Sequence, residues 1–255
     1  LMMTDHVKRY AGERHEIKIC GLTRIEDAAV AVDAGADYLG FVLYAGSKRA
    51  VTPSVVQGIL AALPAGVRGV GVFVNEAPAT IERIVAECGL YAAQLHGDET
   101  PDDYRSFLQG VASLGGTACC RPRRAACAPS QGAAGAVRLD GRPFRIWRAV
   151  RWEGGVWKPD PANWPAERWL VDAAVPGVYG GTGQTADWTA AADLAKKRPC
   201  LLAGGLTAET VAEAIRRVRP AGVDVSGGVE SRPGCKDAGK IRAFIKAARA
   251  AWRED

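Results

Sequence analysis

A chain of 255 residues with 48% hydrophobic and 24% charged residues has ordinary globular proportions, which excludes wholesale disorder and suits one α/β barrel better than two domains. Its formal charge of +5 points to no nucleic-acid partner, because seven arginines crowd into segment 111–148 against Asp140 alone and leave the rest close to neutral; a nucleic-acid footprint spreads basic residues over one folded face with aromatics between them. Seven irregularly spaced cysteines, an N-terminus without an apolar signal core and no apolar run near a membrane span lead to the expectation of a reduced, cytoplasmic protein with no membrane partner.

In chain order, EIKIC (16–20) has the composition of a strand, and Thr23 and Glu26 have the spacing of a capping box opening a helix through about Ala34. DYLGFVL (37–43) is a second strand, and Thr52-Pro53 supplies the N-cap and first-turn chemistry of the next helix. VRGVGVFV (67–74) is a third strand before a helix from about Pro78 to Cys88; YAAQLH (91–96) is a fourth, and Thr100-Pro101 opens a further helix. FRIWRAV (144–150), RWLVD (168–172), CLLAG (200–204) and GVDVS (222–226) supply four more strands, with final helices over Thr207–Arg217 and Lys236–Ala250.

Eight strands separated by helical segments imply a parallel sheet, since parallel neighbours need crossovers. A closed (β/α)8 TIM barrel is favoured over an open doubly wound sheet. CGLTRIEDAAVAVDAGADYLG (20–40) is echoed by GGLTAETVAEAIRRVRPAGVDVSG (204–227), one turn–helix–strand unit used twice. The expected organisation is an N-terminal extension, 1–15, and one barrel domain, 16–255. Two stretches break its pattern. Residues 111–142, rich in Ala, Gly, Arg and Pro without apolar periodicity, form a low-complexity insertion between the fourth helix and the fifth strand. Residues 151–167 hold three prolines and three tryptophans, so the fifth helix is expected to be degraded or replaced by a packed loop.

Active sites of such barrels lie at the C-terminal ends of the strands. That rule selects Cys20, Arg49, His96, Asp172, the Gly204-Gly205 turn and the Ser226-Gly227-Gly228 turn. Glycine turns after the last two strands expose backbone N–H groups suited to a phosphate dianion; glycines there also serve tight turns with positive φ. Strand alternation sends Lys18 and Cys20 inward and Ile17 and Ile19 outward. On position alone Cys20 could be a small buried hydrophobe, Asp172 a loop cap, Arg49 a solvated charge and His96 a packing group. Cys119, Cys120 and Cys127 fall short of the four ligands of structural zinc, so no metal is expected.

The segments IKICGLT (17–23), GFVLYAGSKRAVTP (40–53), GVFVNE (71–76), QLHGDE (94–99), LVDAAVPGVYGGTGQTADW (170–188), LLAGGLTAETV (201–211) and GVDVSGGVESRPGCKD (222–237) together resemble the ordered motifs of the phosphoribosylanthranilate isomerase family of tryptophan biosynthesis. The resemblance implies a cofactor-independent Amadori rearrangement of a phosphorylated small molecule, N-(5′-phosphoribosyl)anthranilate, to the 1-deoxyribulose 5-phosphate. It also implies Cys20 as general base, Asp172 as general acid and Arg49 at the anthranilate end, with His96 a further substrate contact. The phosphate falls to Gly204, Gly205, Ser226, Gly227 and Gly228. The acid must hold a proton near neutral pH, which the apolar neighbours Trp169, Leu170 and Val171 favour if they desolvate it; the base must act as thiolate, with Lys18 placed to lower its pKa. Two departures stand out. The family's Ser-Ser-Gly is Ser226-Gly227-Gly228, and a basic residue common in its GGSGK loop is Gln184. The alternatives are the related aminoaldose isomerase of histidine biosynthesis, a form acting on both substrates, or an inactive sugar-phosphate-binding barrel. Cys20 in the base position and the absence of a Gly-Gly turn after the third or fourth strand disfavour the first two, and the intact Cys20, Asp172 and Arg49 disfavour the last.

Overall fold

The protein is seen in a computed structural model that describes residues 15–104, 136–139, 142–172 and 187–253. Its elements run β1 (Glu16–Ile19), α1 (Ile25–Asp33), β2 (Tyr38–Val42), α2 (Pro53–Ala61), β3 (Gly69–Phe73), α3 (Pro78–Cys88), β4 (Ala92–Leu95), β5 (Ala136–Leu139), β6 (Arg142–Glu153), β7 (Val156–Lys158), β8 (Arg168–Asp172), α4 (Trp188–Ala195), β9 (Cys200–Leu202), α5 (Val211–Val218), β10 (Gly222–Val225), β11 (Glu230–Arg232), β12 (Cys235–Lys236) and α6 (Ala238–Ala251).

Eight of these strands close on themselves in the order β4-β3-β2-β1-β10-β9-β8-β6, and β6 pairs in parallel with β4. That last pairing, Ala92 opposite Arg145 through Leu95 opposite Arg148, makes a barrel and removes the doubly wound alternative. Alternation along the strands then sorts the side chains. Ile17, Ile19, Trp169 and Val171 join the core between sheet and helices, while Tyr38, Val70, Ala92, Trp147, Leu170 and Leu201 fill the interior. Trp147 is fully buried with Tyr38 edge-on to it at 4.8 Å. Below them Glu16 takes two bonds from Arg168, at 3.0 and 3.1 Å, and one from the Tyr38 hydroxyl, at 2.8 Å. The N-terminal end is thus a polar floor beneath the Trp147 layer.

Local chemistry explains most helix starts. Thr52 accepts a bond from Val55 N and Pro53 takes the first helical position; Asp187 and Asp237 cap α4 and α6 in the same way. The capping box expected at Thr23 and Glu26 is absent. The helix begins at Ile25 behind Arg24, which makes no side-chain cap bond, and the Thr23 hydroxyl instead donates to Gly234 O across the barrel rim. Thr100 and Asp103 do exchange bonds, but the helix expected beyond them lies outside the described residues. So do Gln184, residues 1–14 and most of the expected insertion. In its last part Ala136–Leu139 pairs antiparallel with β6. No α-helix occupies 151–167, as expected. The chain there folds back as the β6–β7 hairpin followed by one 3-10 turn, Pro161–Asn163, since the prolines deny helical hydrogen bonds.

No helix among the described residues is long and apolar enough to cross a membrane. Trp147→Ala should empty the centre of the barrel and cost about 3–5 kcal/mol, read as a lower urea midpoint with unchanged far-UV circular dichroism. A loss under about 1 kcal/mol would mean that the interior collapses around the gap.

Candidate active site

A cavity of about 350 Å³ opens at the C-terminal ends of the strands, and all nine residues singled out from the sequence line it: Cys20, Arg49, His96, Asp172, Gly204, Gly205, Ser226, Gly227 and Gly228. The barrel brings them together from β1, the loop after β2, and the ends of β4, β8, β9 and β10. Its remaining wall is largely apolar, with Val42, Val72, Val74, Leu170 and Ala203.

Cys20 follows β1, and its backbone N–H donates to Val225 O at 2.8 Å. Two residues back, Lys18 is fully buried and donates to Asp224 at 3.0 Å. The register of β1 against β10 sets this pair, since Lys18 lies opposite Asp224. Burial pushes the Cys20 thiol above its usual range; Lys18, and more weakly Lys236, pull the other way without reversing it. Lys18 does act in the expected direction, but the desolvation of a buried thiolate outweighs one ammonium already committed to a carboxylate. Lys18 is held above its ordinary value despite its burial, by Asp224 first and Cys20 next.

Asp172 ends β8. Of its apolar neighbours only Leu170 shares the interior face; Trp169 and Val171 point to the helices. Its neighbour in the cavity is His96, whose Nε2 lies 3.1 Å from Asp172 Oδ2. Gln94 Nε2 donates to the other ring nitrogen, Nδ1, at 2.8 Å, which leaves the imidazole proton on Nε2 and directs it at Asp172. Gln94 Oε1 is buried without a hydrogen-bond partner. The turn carrying His96 is anchored from behind by Arg148, which donates to Leu95 O, Gly97 O and Glu99 O and pairs with the Glu99 carboxylate at 3.0 Å.

On the opposite rim Arg49 is no solvated charge. Its Nε and Nη2 each donate to Glu230 at 2.8 Å, and Glu230 also accepts from Lys236 at 2.9 Å. Lys236 in turn donates to Ser226 O. Gly204 and Gly205 have φ of 83° and 65°, a region closed to most side chains. A Cβ on Gly228 would lie 1.9 Å from Leu206 O, so the two glycine turns touch through a contact that tolerates no side chain.

Sequence reasoning passed over Gln94, Asp224, Glu230 and Lys236. The signal for Gln94 and Asp224 was the same alternation that placed Lys18 inward, two residues below His96 and Ser226. Glu230 and Lys236 had no local signal, because they meet only when the chain after β10 doubles back as the β11–β12 hairpin.

Known proteins resemble the chain in both sequence and fold. The family described as N-(5′-phosphoribosyl)anthranilate (PRA) isomerase matches residues 17–114 and 158–247. An N-(5′-phosphoribosyl)anthranilate isomerase from Pelobacter propionicus is 41% identical over 92% of this chain and 95% of its own. The crystal structure of phosphoribosyl anthranilate isomerase from Thermotoga maritima is 34% identical, with a TM-score of 0.71 over 93% of this chain and all of that one. A third relative, 32% identical with a TM-score of 0.68 over 93% of this chain and all of its own, was solved with reduced 1-(o-carboxyphenylamino)-1-deoxyribulose 5-phosphate. With its motifs in order along a closed barrel and its chemistry-bearing side chains around one cavity, the chain belongs to the N-(5′-phosphoribosyl)anthranilate isomerase family.

Proposed function

We propose that this chain catalyses the Amadori rearrangement of N-(5′-phosphoribosyl)anthranilate to 1-(2-carboxyphenylamino)-1-deoxyribulose 5-phosphate, the isomerisation of its family in tryptophan biosynthesis. The observation that carries the reading is the convergence of Cys20 and Asp172, from β1 and β8, on one cavity edged by two glycine turns.

The reaction only redistributes hydrogens, so an acid and a base suffice. Asp172 gives its proton to the ring oxygen; the C1′–O bond breaks and the anthranilate nitrogen lone pair forms the iminium. Cys20, as thiolate, removes the C2′ proton. Those electrons form the C1′–C2′ double bond and return the C1′–N π pair to nitrogen, giving an enolamine. Loss of the 2′-hydroxyl proton and protonation at C1′ complete the ketone. Arg49 meets the anthranilate carboxylate, and the backbone of Gly204, Gly205, Gly227 and Gly228 with the Ser226 hydroxyl takes the phosphate.

The Gln94–His96–Asp172 chain suits an acid that must exist in two states. With the amide as described, the His96 Nε2–H donates to ionised Asp172. With the amide oxygen and nitrogen exchanged, Nδ1–H donates to Gln94 Oε1, and protonated Asp172 donates to Nε2. One set of heavy-atom positions thereby serves the carboxyl before and after it gives up its proton.

Cys20→Ala and Asp172→Asn should each lower kcat by about 10²–10⁴-fold, followed by the loss of anthranilate fluorescence, with smaller changes in affinity for the reduced product analogue. Near-parental turnover in either variant removes that residue from the mechanism. Because the thiol is pushed above its usual range, its thiolate fraction grows with pH. The ratio of the parent's single-turnover rate to that of Cys20→Ala, in which the titration of Asp172 is common to both, should therefore climb by up to about tenfold per unit through neutrality, and a pH-independent ratio would exclude a thiolate base. Gly228→Ala must part the two glycine turns. It should raise KM by about tenfold or more, the loss of one or more charge-assisted hydrogen bonds to phosphate; an unchanged KM in the folded variant rejects the phosphate assignment.

A further inference from the structure

Arg49 reaches the cavity from a loop, where an isolated long side chain would sample many rotamers, yet its guanidinium is fixed. Glu230 meets it edge to edge, with Oε1 accepting from Nε and Oε2 from Nη2, both at 2.8 Å. Oε1 also accepts from Lys236 Nζ at 2.9 Å and Gly234 N at 3.3 Å. The carboxylate is almost wholly buried, and its pKa is lowered by Arg49 and Lys236 against the cost of burial. Two cations therefore share one anion, and the cluster keeps a net charge of +1 at the rim of the cavity. The two-point contact occupies one edge of the guanidinium and leaves Nη1, with the outer hydrogen of Nη2, directed elsewhere. Arg49 Nη2 lies beside Gly227, 3.5 Å from where a Cβ there would stand, so the uncommitted donors sit next to the glycine turn of the same cavity.

We propose that Glu230 is a positioning residue for substrate recognition: it orients Arg49 so that the free edge of the guanidinium meets the ligand's carboxylate. The proposal rests on the reading that Arg49 engages the anthranilate end. Glu230 touches no ligand atom in this scheme. It acts by removing the rotamer freedom of Arg49 before binding, so that ordering the side chain costs nothing at the moment of recognition. It also compensates one of two neighbouring cations, which allows both to be buried.

The test uses the parent chain, three single variants and one double variant. In Glu230→Gln the amide oxygen can keep the bonds from Lys236 and Gly234 at the Oε1 position, while the amide nitrogen then faces Arg49 Nη2, donor against donor. Arg49→Lys keeps the charge and loses the two-point contact. Arg49→Ala removes the group. KM and kcat are measured with N-(5′-phosphoribosyl)anthranilate, and inorganic phosphate is measured as a competitive inhibitor that lacks the ligand's carboxylate. Loss of a well-oriented charged hydrogen bond corresponds to roughly 10–100-fold. Glu230→Gln and Arg49→Lys should therefore each raise KM about tenfold or more, with kcat and the phosphate Ki within about threefold of the parent. Adding Glu230→Gln to Arg49→Ala should change KM little further, because the residue to be positioned is gone. A general loosening of the fold would instead weaken phosphate in proportion. Such proportional weakening overturns the proposal, as does parental KM in Arg49→Lys, a variant that leaves Glu230 in place and tests the contact even if Glu230→Gln fails to fold. Parental KM in Glu230→Gln while Arg49→Ala raises it overturns the positioning role alone. Parental KM in Arg49→Ala overturns the reading of Arg49 itself, and the proposal with it.

Discussion

The parallel pairing of β4 with β6 is the constraint on which the rest depends. It joins Ala92–Leu95 to a strand that begins nearly fifty residues later in the chain, and it converts an eight-stranded sheet with two edges into a barrel with none. Once closed, alternate residues along the strands are committed to the barrel interior. Each strand's last inward position becomes a position on a ring. Cys20, His96, Asp172 and Ser226 are neighbours for that reason, although the chain separates them by up to some two hundred residues.

Closure also dictates how charge is handled. An inward Lys18 or Asp224 alone would cost several kcal/mol in lost hydration. The register answers by placing one opposite the other. The same solution recurs at Arg148 with Glu99, behind the His96 turn, and at Arg49, Glu230 and Lys236 on the opposite rim. Apolar replacements of such pairs are often neutral or stabilising, so stability alone does not account for three clusters around one cavity. Each instead sits directly behind a cavity-lining residue: Lys18 behind Cys20, Arg148 behind the His96 turn, Glu230 behind Arg49.

The strands and the nine cavity residues were legible because both follow from short-range rules: apolar runs bounded by turns, and position at a strand's C-terminal end. RWLVD matched β8 to the residue, and Thr52-Pro53 opened its helix as expected. Thr23 misled because its hydroxyl had a stronger use, reaching Gly234 on a segment more than two hundred residues away. At Cys20 only part of the balance could be read. The spacing of Lys18 was visible, but the burial of both groups and the prior claim of Asp224 on the ammonium were not. Glu230 and Lys236 were illegible, since their importance arises only where the β11–β12 hairpin returns to the β2 loop.

The floor of the barrel carries a consequence for traffic. Trp147 and Tyr38 plug the interior, and Glu16 with Arg168 seals it beneath, so the described barrel offers its ligands no passage through its axis. Substrate must arrive and product depart through the same mouth. If the phosphate sits at the glycine turns as proposed, a bound ligand occupies that mouth. On that proposed reading, accumulated product would compete for entry simply by occupying the door.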